Sequence, residues 1–224
     1  MALITPGTKL AHIINTDPNI ITVLNRFNIR LGVGDKTVES ICQELHIDEA
    51  FLLTVINTFL FDDYIPHKAL SKNDAAEIVK YLKHTNAYTL QYKLPNIERH
   101  FKLLLGTPNQ KNNLQLILKF FLDLKGELIK SIEVDNSVIF PKILAETVDK
   151  NYLPDLRNNS DDQDNSVEQK FVDLKNMIIL HTQGEYDENL CNAVLFAVLS
   201  LEKDIKQNNR IKAKMLMPYI ETLV

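Results

Sequence analysis

The chain has 224 residues, 45% apolar and 24% charged, with a net charge of −4. That is enough apolar material to bury a core without staples, and it provides no chain-wide basic field for nucleic acid or an anionic membrane. Only 6 glycines and 8 prolines exclude collagen-like and low-complexity classes and argue against a turn-rich all-β protein.

The predicted elements begin at Thr16-Asp17-Pro18, a helix start with proline entering the first turn, followed by the apolar face Ile20, Val23, Leu24 and Phe27. Leu31-Gly32-Val33-Gly34-Asp35 reads as a turn in which glycine supplies positive φ. Thr37 is placed to cap a helix carrying Val38, Ile41, Cys42 and Leu45. Asp48 is placed to cap another, carrying Phe51, Leu52, Val55, Ile56 and Phe59. These two helices have the lengths of a helix-turn-helix. The second has no Lys or Arg, however, so it lacks the donors that phosphate and guanine contacts need. Beyond Pro66 four long helices are expected, over about 71–105, 112–145, 166–181 and from 187 past 214, with a bend before Pro218. Residues 151–165 read as a loop.

Charge divides the chain in the same place. Residues 1–67 hold 4 Lys+Arg against 8 Asp+Glu, whereas 68–224 hold 21 of each. The expectation is an all-α protein: a small helical N-terminal domain, 1–67, followed by an antiparallel four-helix bundle, 68–224. The longest apolar run, residues 193–199, is far short of a membrane span. The N-terminal sequence lacks the charged-then-apolar pattern of a secretory leader, so a cytoplasmic location and no membrane partner are expected. Cys42 and Cys191 make neither a disulfide framework nor a metal motif and read as small buried hydrophobes. The basic run Lys203, Lys206, Arg210, Lys212, Lys214 reads as complementing its own helix dipole.

Steps of three and four trace the core stripes. They are Ala87, Leu90, Leu94, Ile97, Phe101 and Leu104; then Leu114, Ile117, Phe121, Leu124 and Leu128; then Val167, Phe171, Leu174 and Ile178; then Leu190, Val194, Ala197 and Leu201. The second stripe continues to Ser131, Asp135 and Val138, the third back to Asp164, and the fourth through Ile205 to Asn208 and Lys212. A polar floor in a bundle core is where such folds hold a metal or cofactor, although helix ends are also commonly just solvated.

Several short motifs, in order, resemble those of the iron–sulfur cluster repair di-iron proteins. They are Asp17-Pro18, Leu24-Asn25-Arg26-Phe27-Asn28-Ile29 and Leu31-Gly32-Val33-Gly34 near the N-terminus. In the bundle they are Lys93-Leu94-Pro95-Asn96-Ile97, Val138-Ile139-Phe140-Pro141-Lys142-Ile143 and Met215-Leu216-Met217-Pro218. The resemblance implies a hemerythrin-like bundle, with iron held by four histidines and two bridging glutamates. Counted from the motifs, those ligands fall at Ala87 (Asn86 if the alignment slips by one), Ser131, Asp135, Asp164, Asn208 and Lys212. The family's N-terminal cysteine pair falls at Gly32 and Val33. None of these positions is a histidine or cysteine, and Ser, Ala and Asn do not replace imidazole as iron ligands.

The expectation is therefore a degenerate metal site, no cofactor and no enzyme activity: a non-enzymatic interaction or regulatory protein in nitrosative or oxidative stress. A protein partner is expected, no nucleic acid, and a homodimer is left open. Within the polar floor, Lys212 could pair with Asp135 or Asp164 in place of the metal charge. Two other function classes stay open. One is a metal site with rearranged ligands, iron included, drawn from His84, Asp135, Asp164 and His181, with His100 beside the first stripe. The other is a small-molecule sensor whose pocket would be lined by Leu90, Phe121, Phe171 and Val194.

Overall fold

The computed structural model describes residues 2–66, 71–106, 113–148 and 167–223. Regular structure among them is helical throughout, with an isolated antiparallel bridge between Lys9 and Thr37. Two compact units divide the chain: Met1–His84 together with Gln207–Leu223, and Thr85–Lys206.

In the first unit α1 (Leu10–Thr16) precedes the expected elements; its single turn of apolar side chains, Leu10 and Ile13, is fully buried. The Asp17 carboxylate then accepts the Asn19 backbone N–H at 3.0 Å and the Asn19 amide at 2.8 Å, turning the chain into α2 (Ile20–Arg26). Phe27 lies just past α2, with its ring 5.8 Å from Phe51 and 5.6 Å from Tyr81. Thr37 and Ser40 form a reciprocal capping box at the start of α3 (Val38–Leu45). Asp48 accepts the Phe51 N–H at 2.7 Å and caps α4 (Glu49–Leu60). Leu45, expected on the buried face, is exposed instead: α3 ends there, and His46 turns the chain away at φ 55°. Gly32 and Gly34 adopt the positive φ expected of the turn.

Four long rods follow. The first is α5 (Lys72–Tyr88), a π-helical turn π1 (Thr89–Lys93) and α6 (Leu94–Leu105). The second is α7 (Leu114–Val134), π2 (Asp135–Ile139) and α8 (Phe140–Leu144). The third is α9 (Val167–His181). The fourth is α10 (Glu188–Ile211), π3 (Lys212–Leu216) and α11 (Met217–Leu223).

Among the described residues, each π turn stands directly before an Xaa-Pro pair: Leu94-Pro95, Phe140-Pro141 and Met217-Pro218. Proline has no N–H, and inside a helix its ring crowds the carbonyl four residues back. The wider turn relieves that crowding: the N–H before each proline bonds five residues back, to Thr89, Asp135 or Lys212.

A π turn adds one residue, so it rotates the flanking faces by about 100° relative to each other. Counting back from Leu94 in regular steps therefore picks the wrong positions. Thr89, rather than Leu90, is fully buried, and Thr85 and Asn86, rather than Ala87, are buried one turn earlier. In the second rod the stripe runs from Leu128 to Ile132, leaving Ser131 half-buried. Past π2 it resumes at Ile139 and Phe140, not Val138. In the fourth rod Val198 takes the place expected for Ala197.

The second unit is a helical bundle. Leu94, Ile97, Phe101 and Leu104 pack with Ile117, Phe121, Leu124 and Leu128, with Phe171, Leu174 and Ile178, and with Val194, Val198 and Leu201 in one core. Phe101 and Phe121 meet at 5.4 Å. Lysine–carboxylate pairs join each rod to the next and the last to the first. They are Glu98–Lys125 at 2.5 Å, Glu127–Lys170 at 2.6 Å, Lys175–Glu202 at 3.0 Å and Lys93–Asp204 at 2.9 Å. The pairs Asn86–Asn136 and Glu98–Lys125 set the first two rods antiparallel. The bonds between Asn113 and His181, with Glu127–Lys170, do the same for the second and third.

Within the first unit, Arg210 and Lys214 do not serve the end of their own rod as the charge run suggested. Arg210 donates to the Thr58 carbonyl at 3.3 Å and pairs with Asp62; Lys214 donates to the carbonyls of Asp62 and of Tyr64, the latter at 2.8 Å. These cations sit at the C-terminal end of α4, where carbonyls lack intrahelical donors and the helix dipole is negative.

Candidate functional site

The polar floor of the second unit gathers around π1 and π2. Thr85, Asn86 and Thr89 come from the first rod, and Asp135 and Asn136 from the second. Asn86 donates its amide to the Asn136 side-chain oxygen at 3.1 Å, which ties the two rods together beside both wide turns. Asp135 is buried, with 8% exposure. Thr89 is 1% exposed, and its Oγ1 is buried without a hydrogen-bond partner in the structure. Ala87 and Ser131 are half-buried at the edge of this group. Asn208 and Lys212 belong to the first unit: Asn208 is buried, and Lys212, which opens π3, is half-buried. Asp164 lies outside the described residues.

These residues do not fit a di-iron centre. Two irons need several imidazole and carboxylate donors converging from the rods. Ala87 offers no donor, Ser131 a hydroxyl, Asn208 an amide and Lys212 a cation; among the described positions Asp135 alone is a carboxylate. Asn86, the alternative position on the first rod, offers an amide oxygen in place of imidazole, while its N–H donates to Asn136. Among the described residues no three His, Cys, Asp or Glu side chains group as a metal ion would require.

The rearranged ligand set is spread out as well. His84 is exposed in the first unit, with Nδ1 3.4 Å from the Arg26 carbonyl. His181 is exposed, and its carbonyl accepts from Asn113 at the start of α7. Asp135 follows the other end of that helix, about 30 Å away at ~1.5 Å per residue. His100 is half-buried on α6. Of the expected pocket lining, Phe121, Phe171 and Val194 are core residues, and Leu90 packs against them.

A charged site that the stripes did not point to lies one helical turn further along. Lys93, the last residue of π1, reaches Asp204 Oδ2 at 2.9 Å and also donates to the Ser200 carbonyl at 3.3 Å and to Ser200 Oγ at 3.5 Å. The Lys93 side chain is 11% exposed and that of Asp204 2%. Lysine is the donor in all three contacts, so the Ser–Lys approach does not supply a base for nucleophilic chemistry. The signal in the sequence was Asp204 itself, standing between Leu201 and Ile205 on an apolar face.

Two neighbouring carboxylates respond to their lysines. Hydrogen bonds from Lys102 and Lys125 hold Glu98 down at about 2. For Glu202 burial acts upward most strongly, yet the hydrogen bonds and charges of Lys206 and Lys175 together bring it below the usual range. Burial pushes the Cys42 thiol up to about 11, helped by Glu49 and Asp48, and raises Cys191 as well. Neither thiol is a nucleophile in this state.

No protein-family model matches the chain, and neither a curated protein nor a solved structure matches it.

Proposed function

We propose that the chain is a metal-free, non-enzymatic relative of the iron–sulfur cluster repair proteins: a hemerythrin-like bundle that acts in the cytoplasm as an interaction or regulatory protein under nitrosative or oxidative stress. The family and the stress context rest on the order of the short motifs around Pro18, Pro95, Pro141 and Pro218. The metal-free reading is carried by one observation: the donor set at the polar floor is wrong in kind. An alanine, a serine, an amide and a lysine stand where imidazoles and carboxylates are needed. Without metal there is no redox or iron-donating centre, and protein contacts remain the means of action.

The test is elemental mass spectrometry and absorption spectroscopy on protein purified without chelators, repeated after anaerobic addition of ferrous iron. The expected result is well under one iron per chain in both samples, with the protein folded. About two irons per chain with an oxo-bridge absorption band would overturn the reading.

A further inference from the structure

We infer that the buried Lys93–Asp204 pair takes over the structural role of a metal centre in this bundle, tying the first rod to the last and fixing their register. This rests on the metal-free reading above. Asp204 stands one helical turn before Asn208 on α10, and Lys93 follows the expected ligand position Ala87 by six residues across π1. The pair therefore lies next to the level of the rods where ligands would have stood.

It is the most buried pair of the ring. The carboxylate of Asp204 is 2% exposed, against 7% for Glu202 and 44% for Glu127, the last within reach of solvent screening. Lys93 contacts the Asp204 carboxylate and two oxygens of Ser200 on the same rod as Asp204. A displaced register would leave an ammonium and a carboxylate buried without these partners, and that penalty disfavours every alternative packing of the two rods. The π turn contributes directly: Lys93 closes π1, so the extra residue sets where along the first rod this cation points.

The experiment uses thermal unfolding of the full chain, with and without chelator or ferrous iron. Lys93→Met and Asp204→Leu are each expected to lower Tm by ~6–20 °C, because each removes one partner of a buried ion pair. The double variant K93M/D204L is expected to recover most of that loss, and Glu127→Gln to shift Tm by at most ~4 °C. Recovery in the double variant supports the inference even where a single variant fails to fold. A Lys93→Met protein that melts with the wild type, or losses that simply add in the double variant, would overturn it. Iron that binds and raises the wild-type Tm would instead overturn the metal-free reading, whatever the coupling between Lys93 and Asp204.

Discussion

Deleting Ser137 is the sharpest perturbation of this fold. Ser137 is an exposed residue inside π2, and its side chain only reaches back to the Glu133 carbonyl at 2.6 Å. Ordinary surface reasoning would place its loss within about 0.5 kcal/mol. The geometry says otherwise. A π turn is one residue inserted into a regular helix, so removing one residue turns π2 into a regular turn and leaves α8 in place against α7, with Phe140 and Ile143 still buried. Pro141 then sits in a regular helix interior, its ring against the carbonyl four residues back, which costs about 3 kcal/mol. That is a large part of the stability of a typical domain, about 5–15 kcal/mol. Urea denaturation followed by far-ultraviolet circular dichroism, with Ser137→Ala as control, reads it directly. The alanine variant should unfold with the wild type and the deletion earlier. Adding Pro141→Ala to the deletion should return most of that loss. A deletion variant whose midpoint matches the alanine variant would refute the reasoning that the wide turn is there to accommodate the proline.

Asn57 holds the N-terminal segment to α4 through two bonds, accepting from the Ile4 N–H at 2.8 Å and donating to the Ile4 carbonyl at 3.0 Å. Asn57→Ala should cost about 1–3 kcal/mol by calorimetry, and a loss near zero would show the clamp to be idle. Glu98 has its folded pKa lowered to about 2, so its pairing contributes stability above the ordinary value near 4.5 and loses it as pH falls toward 2. The Tm difference between wild type and Glu98→Gln should be constant near neutrality and shrink between about pH 4.5 and 2; a difference unchanged down to pH 2 would remove the lysine contacts as its cause. The Cys42 thiol, pushed up to about 11, should react with a disulfide reagent at pH 8 roughly 100-fold more slowly than in the unfolded chain. Equal rates would mean that it is open to solvent.

Local chemistry was legible in the sequence because its partners lie three or four residues apart. Thr37 finds Ser40, Asp48 finds the Phe51 amide, and Phe121, Leu124 and Leu128 share one helix face. The prolines at 95, 141 and 218 stand where three of the four rods depart from regular helix, but a five-residue and a four-residue return leave the same local pattern. Only packing shows that Thr89 displaces Leu90 and Ile132 displaces Ser131. The candidate site divides in the same way. The residue types that disqualify a di-iron centre could be read directly, whereas the burial of Asp135 and the Asn86–Asn136 bond could not.

The amino-acid sequence by itself determined the helical character of the described residues, most of the helix starts and the buried face within each regular stretch, since each of these is set by neighbours within one turn. The tertiary structure alone decided which charges meet. Lys93 and Asp204 are over a hundred residues apart, as are Lys214 and the carbonyls beyond α4. Nothing local distinguishes a lysine bound for solvent from one destined for a buried carboxylate, because that choice is made by the desolvation and pairing that packing imposes.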